Sequence, residues 1–229
     1  MSISRRQIQQ RQRDIRETES AHFIADLIGP AQRVLNVGPS WGRDFYALQA
    51  RGKAIVNLDI APQRHLPAMV VADVTQGLPF SDGVFDAVLM AEVLEHLIED
   101  WLALAEAQRV LKADGRLVIS VPFYHDDPAY HVRVHSPRSI TRLLAATGFA
   151  VEQVVYRGGW IRVPRFVHAV RKVLAPLGLH PAWYGFVLAM DRWWGQQPWA
   201  HRLAHGVYLA ACKSETLDWR HLNRETFQH

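Results

Sequence analysis

The chain holds a single cysteine, Cys212, among its 229 residues. One thiol can neither close an intramolecular disulfide nor build a cysteine-based metal centre, so the fold rests on its apolar core and the expected compartment is the reducing cytoplasm. A concentrated patch of one charge is also missing. Twenty-six Lys and Arg against 22 Asp and Glu leave a net charge of +4, and the cations are dispersed along the chain, which argues against nucleic acid as a partner. The basic stretch with Arg5, Arg6, Arg11, Arg13 and Arg16 has no apolar run behind it and so lacks the build of a secretory signal. Residues 1–30 read as a basic, solvated helical arm. Internal repeats and low-complexity segments are absent as well.

Hydrophobic residues make up 49% of the chain and charged residues 21%, enough for one full α/β core. Apolar runs alternate with helical patterns, the sequence form of strand–helix units around a parallel sheet. The runs predict strands over Val34–Val37, Ala54–Asp59, Ala68–Ala72, Phe85–Met90, Arg116–Val121 and Val151–Tyr156. Leu97, Trp101, Leu104 and Ala105 recur at helical spacing, with Asp114-Gly115 closing that helix. Ser136-Pro137 opens another as N-cap and first-turn proline; Ile140, Leu143 and Leu144 form its buried stripe and Gly148 ends it.

Chemistry concentrates in V-L-N-V-G-P-S-W-G-R-D, Val34 to Asp44, a buried strand running into a glycine-bearing turn and a helix, where α/β proteins hold nucleotide-like cofactors. Asp59 ends the second strand about 20 residues beyond Gly38, placed to accept both ribose hydroxyls of an adenosine ligand. The spacing Gly38-Ser40-Gly42 lacks the third glycine of the dinucleotide fingerprint, whose place is taken by Arg43, and this disfavours a nicotinamide cofactor. Asp73 closes the third strand in V-A-D-V-T-Q-G-L-P-F-S-D-G-V-F-D-A-V-L-M, and L-E-H follows at 94–96. Asp86, at a strand start, reads as a local cap outside the site.

The ordered set of glycine turn, Asp59, Asp73, L-P-F, F-D and L-E-H resembles the class I S-adenosylmethionine-dependent methyltransferases, over residues 20–157, and within them the type 11-like group. The resemblance implies a doubly wound, mostly parallel sheet of seven strands, with Gly206–Cys212 as the antiparallel last strand. It also implies that Gly38, Ser40 and Gly42 line the methionine part of S-adenosyl-L-methionine, Asp59 its ribose, and Asp73 with the Val74 backbone its adenine. Asn36 stands where the family usually has an acid, and Ser40 replaces the family's middle glycine. Asn36 is expected to face the cofactor's ammonium group with a carbonyl oxygen but no charge.

On the acceptor side, Glu92 lies at the end of the fourth strand, and His125, Asp126, Asp127, His131, Arg133 and His135 follow the fifth. Glu92 and His131 are the candidate bases; His125, Arg133 and His135 are the candidate substrate contacts. If extended, H-V-R-V-H places His131, Arg133 and His135 on one face and both valines on the other. That face suits a general base, a basic clamp for an anionic acceptor, or a metal site with Asp126 or Asp127; a solvated loop with one packed histidine is the plainer alternative. Metal is the least favoured and none is assigned, because histidine and aspartate spacing across a loop fixes no coordination geometry and Arg133 opposes a cation beside it. Glu95 and His96 read as shaping the pocket floor.

Residues 160–204 form an aromatic insertion with five of the eight tryptophans. Val173–Met190 has no Asp, Glu, Lys or Arg, but Pro176, Gly178, Pro181 and Gly185 interrupt it, which speaks against a transmembrane helix. The insertion reads as a lid, as a surface meeting the inner face of a membrane peripherally, or as a helical subdomain with tryptophans in its core. One domain spans 1–229, and the expected activity is methyl transfer, at oxygen, to a small-molecule, glycan or lipid-linked acceptor. An NAD(P)-dependent oxidoreductase and a non-catalytic cofactor-binding scaffold are the alternatives.

Overall fold

The computed structural model describes residues 19–123, 131–157, 170, 173, 176, 178 and 180–214. Seven strands form one sheet: β1 (Arg33–Val37), β2 (Ala54–Asp59), β3 (Met69–Val71), β4 (Phe85–Ala91), β5 (Leu111–Pro122), β6 (Phe149–Arg157) and β7 (Gly206–Lys213). Their order is β3-β2-β1-β4-β5-β7-β6. β7 runs antiparallel to both of its neighbours, β5 and β6, while the other pairings are parallel. β1 and β4 are buried nearly end to end, as strands covered by helices on both faces must be. Chain order reverses between β1 and β4, opening a crevice at their carboxyl ends.

Helices α1 (Glu19–Ile28) and α2 (Arg43–Gln49) belong with one apolar cluster, through Phe23, Ile24, Leu27, Phe45 and Leu48. Helices α3 (Asp100–Val110) and α4 (Pro137–Ala146) belong with the other, through Leu104, Val110, Ile140 and Leu144. The second half of the expected solvated arm is therefore a core helix; its arginines, all before residue 17, lie outside the described residues. α4 begins as its sequence implies. Ser136 Oγ accepts from Ser139 N at 3.1 Å, the Ser139 hydroxyl accepts from Ser136 N at 2.8 Å, and Pro137 is the first helical residue.

Two local expectations are corrected. α3 ends at Val110, where Leu111 turns extended, and not at Asp114-Gly115. That pair sits inside β5, in a bulge where the register against β4 slips between Phe85 and Ala87. Gly115 fits because a Cβ there would approach the Lys112 carbonyl oxygen to 2.9 Å. The buried stripe of α3 is Ala103, Leu104, Ala107 and Val110, whereas Trp101 and Ala105 are exposed. The helix begins only at Asp100, and this rotates its inner face away from the spacing read at Leu97 and Trp101.

Between β6 and β7, α5 (His180–Gly195) buries Val187, Leu188 and Asp191. Arg192 pairs with Asp26 of α1 and stacks 5.2 Å above the Phe23 ring. At the end of α5, Gly195 lies so near β6 that a Cβ would come within 2.4 Å of the Tyr156 carbonyl oxygen. The insertion is thus anchored to the domain through α5. No helix among the described residues is long and apolar enough to cross a membrane.

Ser136→Ala removes the cap that starts α4 and should lower unfolding free energy by about 1 kcal/mol, read as a shift in the urea midpoint with unchanged slope.

Candidate functional site

At the carboxyl ends of β1, β2 and β4 lies a cavity of about 320 Å³. It brings together Gly38, Ser40, Asp59, Asp73, Val74, Glu92 and His96, seven residues singled out in the sequence, with Val37, Leu58, Ile60, Ala72, Val93 and Leu97 completing the wall. A second cavity of about 330 Å³ is lined by Asp86, Asp114 and Arg116 at the opposite end of the strands. Two of its charges are already engaged: Asp86 accepts from Gln32 N, Arg33 N and Lys112 Nζ, and Arg116 pairs with Glu152. These bonds hold the Asp86 carboxyl below its usual range, the Lys112 contact foremost. Asp86 is structural, tying the start of β4 to that of β1.

The turn after β1 is held by Gly38 N donating to Leu58 O at 2.8 Å and Gly42 N donating to Pro39 O at 2.8 Å. Gly38 (φ 64) lines the cavity, and a Cβ there would press to 2.7 Å from Val93 Cγ2. Gly42 (φ 81) has a different task. It caps α2, and a Cβ would collide with Leu66 at 2.6 Å, while the residue itself stays off the cavity wall. Left-handed backbone at non-glycine residues is uncommon and gathers at functional sites. Of the three such residues described, Ser40 (φ 47), Ala68 (φ 47) and Glu92 (φ 57), two line this cavity.

Asp59 Oδ1 accepts from Ala61 N at 3.1 Å and its Oδ2 meets Gln63 Nε2 at the long distance of 3.5 Å. Asp73 Oδ1 accepts from both Thr75 N and Thr75 Oγ1, at 2.9 and 2.7 Å. Each carboxylate is oriented by a turn that its own strand end begins. Asn36 is placed otherwise than expected. It is fully buried, off the cavity wall, and its Nδ2 donates to Asn57 Oδ1 at 3.1 Å, while Asn57 Nδ2 donates to Pro67 O at 2.9 Å. An amide is what a neighbouring amide can pair with inside an apolar sheet.

The acceptor-side residues separate. Glu92 Oε1 accepts from Ser120 Oγ at 2.8 Å and pairs with Arg157, whose guanidinium also lies 5.3 Å above the Tyr208 ring. Residues 131–135 are not a strand, and the expectation of one polar face is corrected: Val132 and Val134 are exposed, whereas His135 is buried. Arg133 turns to the buried Asp100, Nε to Oδ2 at 3.0 Å, and donates to Ile98 O. His131 is half-buried with its ring edge-on to His96, centroids 4.9 Å apart. His125, Asp126 and Asp127 lie outside the described residues. Ser120 and Arg157 were the residues missed as site members; Arg157, a charge ending the apolar run V-V-Y-R, was the legible signal.

Burial, reinforced by the nearby Arg133 charge, pushes His135 down to about 4 despite a bond to the Leu94 backbone. An imidazole so placed is neutral at pH 7 and packs the floor. Its folded-state value lies below the unfolded one, so its contribution to stability is complete above about pH 6.5 and declines as pH falls toward 4, by about 1 kcal/mol per pH unit. Urea unfolding of the wild type should show this decline between pH 6.5 and 5, and His135→Leu should flatten it.

A doubly wound sheet with an antiparallel last strand, and two carboxylates beside a glycine turn at its switch point, define a Rossmann-like domain for an adenosine-bearing cofactor. Comparison with known proteins sharpens the class. The Methyltransferase domain family matches residues 35–119. The chain is 33% identical over 107 residues to a demethylmenaquinone methyltransferase of Renibacterium salmoninarum, covering 43% of this chain and 45% of that protein. It is 30% identical over 131 residues to a probable S-adenosylmethionine-dependent methyltransferase of Mycolicibacterium smegmatis, covering 52% and 51%. The chain thus spans about half the length of the curated relatives it matches. In fold it is similar to the 1,6-didemethyltoxoflavin-N1-methyltransferase of Burkholderia thailandensis, solved with 1,6-didemethyltoxoflavin and S-adenosylhomocysteine. That likeness has a TM-score of 0.56 at 20% identity and covers 87% of this chain and 79% of that one. Residues 35–119 thus match a methyltransferase domain, and the fold is similar to that of a methyltransferase solved with the S-adenosyl cofactor product.

Proposed function

We propose that this chain transfers the methyl group of S-adenosylmethionine to an oxygen of a small-molecule acceptor. The observation that carries the reading is the single cavity joining Gly38, Ser40, Asp59, Asp73 and Glu92 at the switch point of the sheet. The residues fit the cofactor. Asp59 offers a carboxylate for the ribose hydroxyls, Asp73 and the Val74 backbone would serve the adenine edge, and Leu58, Ile60 and Leu97 would supply apolar wall for its faces. Gly38 gives the close backbone approach that the methionine end needs, with Ser40 Oγ beside it for the carboxylate.

When bound, the cofactor supplies an electrophilic methyl group on a sulfonium. What remains for the protein is alignment, exclusion of water and removal of the acceptor's proton. Glu92 stands at the junction of the two halves, fixed by Ser120 and Arg157. With Oε1 committed there, Oε2 is the atom left to receive a proton or to orient an acceptor hydroxyl. His131, against His96 at the cavity's edge, is the second base.

A small-molecule acceptor is supported by the names of the relatives, a demethylmenaquinone enzyme and a toxoflavin enzyme. A lipid-linked acceptor at a membrane's inner face would draw on the insertion, where Phe186, Trp193, Trp199 and Leu203 are exposed. None of the described residues between 180 and 204 lines the cavity, so the part described favours a surface contact over a lid.

Calorimetry with S-adenosylhomocysteine should give one saturable site per chain. Asp59→Ala should weaken it roughly 10- to 100-fold, the worth of a hydrogen-bonded charged group. Equal stabilisation by NADH, or no binding at all, would end the methyltransferase reading. Methyl label from the cofactor appearing on nitrogen or carbon of an acceptor would overturn the assignment to oxygen.

A further inference from the structure

We propose that Glu95, His96 and His131 form a divalent transition-metal site on the acceptor side of the cavity. The proposal rests on the preceding reading, that a methyl acceptor enters there; it makes His131 a ligand in place of a second base, and it departs from the expectation of no metal.

One ligand atom from each of the three side chains lies within 4.8 Å of the others. Two come from the 3-10 turn Leu94–His96 that follows β4, and the third from beyond β5. The backbone ties these segments together: Val132 N and Arg133 N both donate to Glu95 O, at 2.9 and 3.2 Å. His131 is therefore held beside the turn by bonds independent of its own ring. Donor atoms around a tetrahedral ion bound at about 2.1 Å stand roughly 3.4 Å apart, so a spacing of up to 4.8 Å leaves the three side chains to draw in around an ion.

Two imidazoles and one carboxylate suit zinc, cobalt, manganese or ferrous iron, not the all-oxygen shells of calcium and magnesium. Burial is graded: Glu95 is buried, His131 intermediate and His96 exposed. An ion seated here would be anchored from within and left with open positions outward, as at catalytic rather than structural metal sites. Those positions adjoin the cavity, because His96 is part of its wall. Arg133, the cation that argued against metal in the sequence, is drawn to Asp100 and the Ile98 carbonyl.

The site would serve a hydroxyl acceptor. A metal-bound hydroxyl gives up its proton to solvent at a lower pH than the free alcohol. Its oxygen lone pair then forms the bond to the methyl carbon as the carbon–sulfur pair returns to sulfur, leaving a methyl ether, S-adenosylhomocysteine and one released proton.

Cobalt(II) chloride titrated into the untagged, chelator-stripped chain tests this, with visible absorption and bound metal per chain as readouts. One cobalt per chain with a ligand-field band should appear, and His131→Ala and His96→Ala should each weaken binding at least tenfold while His201→Ala does not. Cobalt bound equally by His131→Ala and wild type, or not bound by wild type, overturns the site. S-adenosylhomocysteine calorimetry on the same samples separates the two readings. Cofactor binding without cobalt sinks the metal site alone, and cobalt binding without cofactor binding removes the acceptor role given to it. His131→Ala should keep S-adenosylhomocysteine affinity within about threefold of wild type, since His131 is not part of the cavity wall.

Discussion

Everything at the site depends on the reversal of strand order between β1 and β4. Parallel strands covered on both faces deliver their chains to one edge, and where the order turns, the outgoing loops diverge and leave a crevice. Here the crevice is narrowed by one contact. Gly38 after β1 meets Val93 after β4 so closely that no side chain fits at Gly38, and the two loops that define the cavity are in register through that touch. Residue 38 is glycine for two reasons at once, its left-handed φ and the absence of space.

The strands were readable because their signal is local. Continuous apolar runs gave β1, β2 and β4 nearly to the residue, the resemblance gave β7, and the Ser136-Pro137 start of α4 is written in adjacent side chains. Errors arose where the deciding contact is distant. Asp114-Gly115 looks like a helix stop, and only pairing with β4 shows it to be a bulge. Trp101 has helical spacing with Leu97, but the helix starts after Leu97 and turns Trp101 to solvent.

The same division runs through the site. Its cofactor half, Gly38, Ser40, Asp59, Asp73 and Val74, consists of residues at or just beyond strand ends, and the carboxylates of Asp59 and Asp73 are each oriented by a turn two positions on. Such a half can be read in order along the chain. Asn36 was the exception in that half: its facing was inferred from strand position, but its partner is Asn57 on the next strand. Alternation within a strand cannot reveal that, because a strand buried on both faces has no solvent side to mark.

The acceptor half is assembled across the sheet, and this explains why candidate residues there moved apart. Glu92 answers to Ser120 and Arg157, Arg133 to Asp100, and His131 to His96. The short H-V-R-V-H run therefore yields three residues with three fates: one anchored in an ion pair, one neutral in the core, one at the cavity's margin. Glu92 alone among the strand-end carboxylates carries backbone strain, φ 57, together with an ion pair. Strain of this kind persists only when neighbours over-determine it, and here Ser120 does so twice, its carbonyl accepting from Glu92 N at 3.0 Å and its hydroxyl donating to the carboxylate. The backbone conformation that turns Glu92 toward the cavity and one of the two bonds that hold its carboxylate come from one residue of β5, and Arg157 at the end of β6 supplies the other. Cofactor and acceptor halves are thus joined mechanically where β4, β5 and β6 end, through Glu92, Ser120 and Arg157.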